Sequence, residues 1–151
     1  MANTQALCSS FKPEALSGIH ALGTTVIRAG TGADTLKAAL FLASGSLGAT
    51  TTAYSVTSEV SGTGYTAGGI TVTNATAPTN TTTQAYWTPS ASLAWTTVTL
   101  ATAFDTVLVY NSTQSNKAIS VHTFGSQTVT AGNFTLSMPA NGAGTGLVQI
   151  N

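Results

Sequence analysis

The feature that most constrains the fold is a succession of short strand-length runs, which begins near Asp34 and continues to the end of the chain. Each run is rich in β-branched, aromatic or aliphatic residues, and turns containing Gly, Asn or Ser separate the runs. The runs cover residues 35–44, 52–60, 69–74, 83–89, 94–102, 104–112, 117–126, 133–140 and 146–151. We therefore predict an all-β fold, an antiparallel β-sandwich of about eight strands, either jelly-roll or immunoglobulin-like.

Two of these runs are apolar without a clean alternation, which predicts strands that are buried on both faces. They are TLKAALFLAS (35–44) and FDTVLVYNS (104–112). We expect Leu40 and Leu108 to be core residues of central strands. Asp34 and Asp105 stand at the starts of these runs and are expected to lie in strand-entry turns.

The first thirty residues differ from the rest, because the stretch SSFKPEALSGIHALG (9–23) carries a helical pattern. Ser10 can cap a helix, and Pro13 and Glu14 suit its first turn. We predict a short helix over 11–21, within an N-terminal arm (1–30) that precedes the β-sandwich domain (31–151). The apolar face of this helix is the candidate partner-binding surface, and its residues are Phe11, Leu16, Ile19 and Leu22.

Charged side chains are scarce, since they make up 5% of the chain, against about 25% in average globular proteins. Four basic and four acidic residues give a net charge of zero, so we expect no nucleic-acid partner. No apolar run approaches the roughly 18–20 residues of a membrane-spanning helix. Because a net charge near zero promotes association, we expect a homo-oligomer that works within an assembly.

The stretch EVSGTGYTAGGITVTN (59–74) could be a phosphate-binding loop or a turn between strands. A phosphate loop needs a helix after its glycines and, in the P-loop, a lysine. Here the glycines are followed by the strand-like sequence ITVTN. We interpret the stretch as a tight turn in which Gly68 and Gly69 supply positive φ angles, and we predict that it binds no ligand.

Candidate catalytic residues are few: two histidines, His20 and His122, and the single cysteine Cys8. Acid–base catalysis and metal binding usually recruit a histidine beside a carboxylate or a second histidine, and nothing in the spacing pairs them. We expect His20 to close the helix and His122 to project outward from its strand. The tryptophans and tyrosines could line a sugar-binding face, but their positions within strands favour core packing. The sequence thus predicts no catalytic residue, no metal and no cofactor.

Several segments, in the same order along most of the chain, resemble a family of small virion structural proteins of tailed bacteriophages. They are SFKPEALSGIHALG, ADTLKAALFLAS, TTAYSVTSEVSGTGYTAGGITVTN, FDTVLVYNSTQSNKAISVHTFG and GNFTLSMPANGAGTGLVQIN. The most specific part combines the Thr-Thr-Ala-Tyr start with Glu59 and the glycine turn. Pro13 and Ala15 are unusual in the family's helix. The resemblance implies a virion role without catalysis, and it carries no catalytic residue across.

The resemblance and the composition together favour a non-enzymatic capsid cement or decoration protein. Its expected partners are the major capsid protein and copies of itself. It would be located in the virion after assembly in the host cytoplasm, because the N-terminus lacks the pattern of a secretory signal. An alternative is a tail or fibre adsorption module that contacts cell-surface glycan. A free carbohydrate-active enzyme ranks last, since it would need a spatial pair of carboxylates.

Overall fold

A computed structural model describes residues 2–16, 18–23 and 32–150 of the chain, without the side chains of residues 13 and 16. One short helix, α1, covers Phe11–Leu16. Eight strands accompany it in the described residues, namely β1 (Ala6–Leu7), β2 (Leu36–Leu42), β3 (Ile70–Thr71), β4 (Thr79–Asn80), β5 (Ala85–Trp87), β6 (Leu93–Asn111), β7 (Lys117–Leu136) and β8 (Val148–Ile150).

The strands form two antiparallel sheets. A five-stranded sheet has the order β1-β7-β6-β2-β3, and a three-stranded sheet has the order β4-β5-β8. The prediction of an all-β fold is therefore confirmed at this level. Among the described residues, no helix is long and apolar enough to cross a membrane.

The interior of the larger sheet follows the sequence prediction. β2 and the part of β6 that pairs with it are buried on both faces. Leu40 and Leu108 are each 0% exposed. They lie on neighbouring strands, since Leu40 pairs with Val107 and Ala39 pairs with Leu108. Burying a leucine fully contributes about 1.5–3 kcal/mol to stability, so these two strands form the centre of the core.

Two long strands, β6 and β7, form a hairpin that is longer than expected. The predicted strands 94–102 and 104–112 are one continuous strand in β6, and the predicted strand 117–126 continues in β7 to Leu136. The first gap is the single residue Ala103, and the second, 127–132 (QTVTAG), contains two threonines and a valine, so the ladder can continue where local pattern alone suggested breaks.

The break expected between the predicted strands 117–126 and 133–140 is a bulge inside β7, at Ala131 and Gly132. Ala131 has a φ of 45°, and the pairing register shifts between Val98 and Leu100 on the opposite strand. Here the partner strand continues on both sides, so the extra residue is accommodated as a bulge.

Residues 52–60, predicted as an alternating strand, do not form one. The segment bridges the larger sheet only at Ala53 and Glu59. Ser58 has a φ of 62°, which interrupts extended backbone. An alternation of buried and exposed side chains is not observed either, because Val56 is 66% exposed and the adjacent residues Glu59 and Val60 are both buried.

The helix α1 is shorter than the predicted helix over 11–21. Gly18 follows it with a φ of 68°, and its N–H donates to the Ala15 carbonyl at 3.0 Å. The N–H of Ile19 donates to the Glu14 carbonyl at 2.9 Å. This pair of bonds is the pattern of a glycine-terminated helix, so Gly18 stops α1 although the apolar spacing continues. The hydroxyl of Ser10, expected to cap α1, has no hydrogen-bond partner in the described part of the chain.

The N-terminal residues pack against the larger sheet. β1 pairs with β7 at Val121 and Ser120, and the N–H of Cys8 donates to the Ile119 carbonyl at 3.1 Å. Cys8 is 0% exposed and Phe11 is 1% exposed, and both belong to the main buried cluster. The start of the chain therefore contributes to the core of the larger sheet.

Candidate functional site

An apolar groove lies between the N-terminal segment 11–22 and the smaller sheet. Its volume is about 550 Å³. The described residues that line it are Phe11, Ala15, Gly18, His20, Ala21, Leu22, Ala77, Pro78, Ala85, Tyr86, Trp87, Val148 and Ile150. None of them carries a permanent charge, so the groove suits an apolar occupant.

The candidate partner-binding residues are only partly brought together by this groove. Phe11 and Leu22 line it, although the Phe11 side chain is almost fully buried. Ile19 is half-buried and is not among the described residues of the lining. The side chain of Leu16 lies outside the described residues.

The far wall of the groove was missed by sequence reasoning. Trp87 and Val148 pair across β5 and β8, and Ile150, which is 44% exposed, extends the same strand. These residues are about 60 positions apart in sequence and far from the N-terminal segment. No local pattern signals that the last strand closes against β5, so only the topology reveals this wall.

A buried polar cluster stands next to the groove, and His20 belongs to both. His20 Nε2 lies 2.9 Å from Glu14 Oε2, and Glu14 also forms an ion pair with Lys117. The exposed fractions of the His20 and Glu14 side chains are 1% and 12%. We call these three residues the Glu14 cluster. It joins the N-terminal segment to the start of β7.

Asp34 makes a second connection to the same region. Asn111 Nδ2 donates to Asp34 Oδ2 at 2.8 Å and to His20 Nδ1 at 3.1 Å. The N–H of Ala21 donates to Asp34 Oδ2 at 2.7 Å. Asp34 stands before β2, as predicted, and its carboxylate holds the chain beyond α1 against the end of the hairpin.

The protonation states of the cluster follow from burial and hydrogen bonding. Burial lowers the pKa of His20 in spite of the neighbouring Glu14, so the ring is neutral at pH 7. A neutral ring that faces a carboxylate at Nε2 donates from that nitrogen, and Nδ1 accepts from Asn111. Burial alone would raise the pKa of Glu14, but the bonds to Lys117 and His20 outweigh it and lower that pKa. Both ring nitrogens of His20 therefore already have hydrogen-bond partners, Glu14 and Asn111.

The glycine stretch is organised by a second buried carboxylate, that of Glu59. Tyr54 and Tyr65 donate to its two oxygens at 2.6 and 2.7 Å, and the N–H of Gly68 donates at 2.8 Å. Tyr110 donates to the Gly68 carbonyl at 2.7 Å. Burial raises the pKa of Tyr110 to about 12, so this phenol stays protonated. Glu59 thus fixes the turn from inside.

The glycines are required by close backbone approach as well as by φ. Gly68 and Gly69 have φ of 88° and 69°, as the turn interpretation predicted. A Cβ on Gly69 would overlap the Ala38 carbonyl, and one on Gly62 would overlap the Thr99 carbonyl. The stretch therefore lies directly along the backbones of β2 and β6, which leaves no space there for a phosphate.

Asp105 corrects another expectation, because it lies within β6 instead of in a strand-entry turn. Its Oδ1 accepts hydrogen bonds from Asn3 Nδ2 at 2.9 Å and from Thr106 Oγ1 at 2.6 Å. Asn3 also accepts from the N–H of Leu47 at 2.8 Å. This carboxylate fastens the first residues of the chain to the hairpin.

Two further residues considered for catalysis are unreactive in their surroundings. Burial, reinforced by Glu14, raises the pKa of Cys8 to about 11, which keeps it a thiol. His122 is half-buried and not directed fully outward as expected, and it lies 2.8 Å from Ser120 Oγ. Burial lowers its pKa to about 4. Across residues 2–16, 18–23 and 32–150, no three metal-ligating side chains group closely enough to hold an ion.

Aromatic residues that could have formed a sugar-binding face are largely in the core. Trp87, Trp95 and Tyr110 are 1%, 3% and 2% exposed. Tyr54 stacks on Tyr110 with a centroid distance of 4.7 Å. These contacts favour the core-packing interpretation over a glycan platform.

Comparisons with protein-family models, with curated proteins and with solved structures gave no match to this chain. Its function is therefore inferred from the residues and from their geometry.

Proposed function

We propose that the protein is a non-enzymatic structural component of a tailed-bacteriophage virion, namely a capsid cement or decoration protein. It would bind the major capsid protein and copies of itself on the shell. The observation that carries the proposal is the distribution of charge. Of the charged side chains that the structure describes, Lys12 is exposed, Lys37 and Lys117 are half-buried, and all four carboxylates are hydrogen-bonded within the chain.

Such a surface supports attachment through apolar contact and backbone hydrogen bonds. Charged patches steer a free protein to its ligand and keep it soluble and separate. Here the acidic groups instead fasten loops and the N-terminal segment to the sheet. The order of segments that resembles phage virion proteins agrees with this assignment.

Absence of catalysis is part of the proposal. In the described residues, the one histidine beside a carboxylate, His20, has both ring nitrogens hydrogen-bonded, and Cys8 is a buried thiol. General acid–base chemistry needs a group that can reach a substrate proton. The Glu14 cluster therefore has a structural role, because it connects the N-terminal segment to the start of β7.

We infer that the apolar groove receives an apolar segment of the capsid protein. Its rim includes Ile150, one of two large apolar side chains that are prominently exposed in the described residues; the other, Val56, lies elsewhere. Phe11 supports the groove from the core. This assigns the partner contact to the groove as a whole and not to the helix face alone.

We also propose that the two sheets face each other as a β-sandwich. Trp87 and Val148 of the smaller sheet belong to the same buried cluster as Leu93 and Trp95 of β6. A shared core of this kind is what joins the layers of a sandwich.

The test is a quantitative inventory of purified virions. We expect a copy number on the scale of the capsid lattice, and retention after a wash in about 1 M NaCl, because salt screens charges but not apolar contacts. A copy number on the scale of the tail would favour the adsorption module instead. Release of the protein by salt would contradict attachment through apolar contacts.

Two matched substitutions then test the groove. Ile150→Asp places a charge on its rim, whereas Val56→Asp places the same charge on an exposed apolar residue elsewhere. We expect Ile150→Asp to reduce occupancy on virions about tenfold or more, since an unpaired buried charge costs well over 1.4 kcal/mol. Equal occupancy for the two variants would remove the groove from the proposal.

A further inference from the structure

The two outer edges of the larger sheet are covered very differently. On one side, β3 pairs with β2. The segment before β3 adds two single bridges, from Glu59 to Phe41 of β2 and from Thr63 to Thr99 of β6. On the other side, β1 pairs with β7 only at Val121 and Ser120. Within the described residues, no strand covers the outer edge of β7 over 122–136.

This open edge lacks the features that usually protect one. Natural proteins discourage edge pairing with charged side chains, prolines, bulges or very short strands. Residues 118–151 contain no Asp, Glu, Lys or Arg, and β7 contains no proline. Over 122–136, β7 therefore retains only its bulges among these protective devices.

The bulges leave one stretch of open edge in which β7 itself carries no extra residue, although β6 bulges opposite it between Trp95 and Val98. Over 122–136, the extra residues of β7 fall opposite the register shifts at Phe104–Thr106 and Val98–Leu100. Beyond the second shift, β7 continues from Gly132 to Leu136, with Phe134 paired to Trp95. This five-residue stretch, 132–136, has alternating exposed and half-buried side chains. We call it the open edge.

We propose that the open edge pairs, antiparallel, with the open edge of a second copy of this chain. An antiparallel pair of identical strands is related by a two-fold axis, so each copy offers the other the same donors and acceptors. An uncharged edge pairs with its own copy without bringing like charges together or leaving a charge unpaired. Pairing would join two five-stranded sheets into one and would cover half-buried Phe134 and Leu136 further.

The inference rests on the self-association in the proposed function and gives it a location. It does not depend on the capsid, because the pairing is a property of the purified protein. A failure here would remove the open edge as the self-contact and would leave the virion role to its own test.

The experiment measures the mass of the purified full-length protein by size-exclusion chromatography with light scattering, over a series of concentrations. Thr135→Lys places a positive charge on the open edge of each copy. Thr102→Lys places the same charge on an exposed residue of β6, in the same hairpin but away from that edge. Circular dichroism checks that both variants keep the strand content of the parent.

We expect the parent and Thr102→Lys to form dimers and Thr135→Lys to be monomeric. If Thr135→Lys does not fold, sedimentation equilibrium of the parent still decides whether it dimerises, and hydrogen exchange locates the contact. Dimerisation should then slow exchange of the amides of 132–136. A parent that is monomeric at every concentration, or a dimer that survives Thr135→Lys or leaves those amides unprotected, would overturn the proposal.

Discussion

The two halves of the β6–β7 hairpin are made of similar residues but differ in their surroundings. In the half near the turn, 104–111 pairs with β2 on its other side and is mostly buried. In the far half, β7 is largely exposed from residue 125 onward. Four of the five register shifts in the hairpin lie in the far half or at its boundary, between Trp95 and Thr106. Burial and regularity here depend on the neighbouring strands more than on the strand's own composition.

Substitutions on the side of the larger sheet that β3 and the glycine stretch cover should cause the largest loss of stability. Gly69→Ala should destabilise the protein by at least about 4 kcal/mol, because positive φ and overlap with the Ala38 carbonyl act together. Gly125→Ala on the open strand is the control, since Gly125 has ordinary φ and ample space. Denaturant unfolding measures both. Similar losses for the two variants would contradict the difference between the edges.

Core truncations compare the two halves directly. Leu108→Ala should reduce the free energy of unfolding by about 2–5 kcal/mol, as in other fully buried sites. Leu136→Ala should cost less than about 2 kcal/mol, because Leu136 is only half-buried. The same unfolding assay applies. A larger loss at Leu136 would mean that the far half is buried against a partner even in dilute solution.

Acidification should destabilise the half of the hairpin near its turn. The far half should not respond, because residues 124–136 and 93–103 contain no titratable side chain. The folded pKa of His20 lies below its ordinary 6.5, so the unfolded chain binds the proton first. Stability is then complete above pH 6.5 and falls as the pH drops below it, and His122, whose folded pKa is about 4, adds a loss of the same sign. Glu14, with a folded pKa below 4.5, adds a further loss below that pH.

Melting temperatures measured between neutral pH and pH 4 test whether stability falls on acidification, as expected. Glu14→Gln should lower stability at neutral pH and reduce the acid-dependent loss below 4.5. Lys12→Gln, an exposed change on the same helix, should have little effect. A protein that becomes more stable on acidification would show that the Glu14 cluster does not hold the N-terminal segment.

The fold could be predicted from sequence where local pattern determines the outcome. The runs around Leu40 and Leu108 are predominantly apolar without a clean alternation, a pattern that predicts burial on both faces, and both strands are buried. The positive φ at Gly68 and Gly69 followed in the same way from residue chemistry.

The remaining features depend on distant partners. Ala131 and Gly132 have the composition of a turn, yet they form a bulge because β6 continues opposite them. The wall of the groove at Ile150 exists because the last strand pairs with β5. The helix ended early at Gly18, since its capping bonds outweighed the apolar spacing. For the bulge and the groove wall, the missing information was the identity of the neighbour, which a single sequence does not display, whereas the stop at Gly18 is a local glycine signal that the apolar spacing obscured.

Amide hydrogen exchange, resolved along the hairpin, measures whether its two halves differ because their neighbours differ. In dilute solution, the amides of 106–111 should exchange only through global unfolding, whereas those that face outward in 132–136 should exchange far faster. Raising the protein concentration should slow exchange in 132–136 and leave 106–111 unchanged. Equal protection of both halves in dilute solution, independent of concentration, would contradict the account.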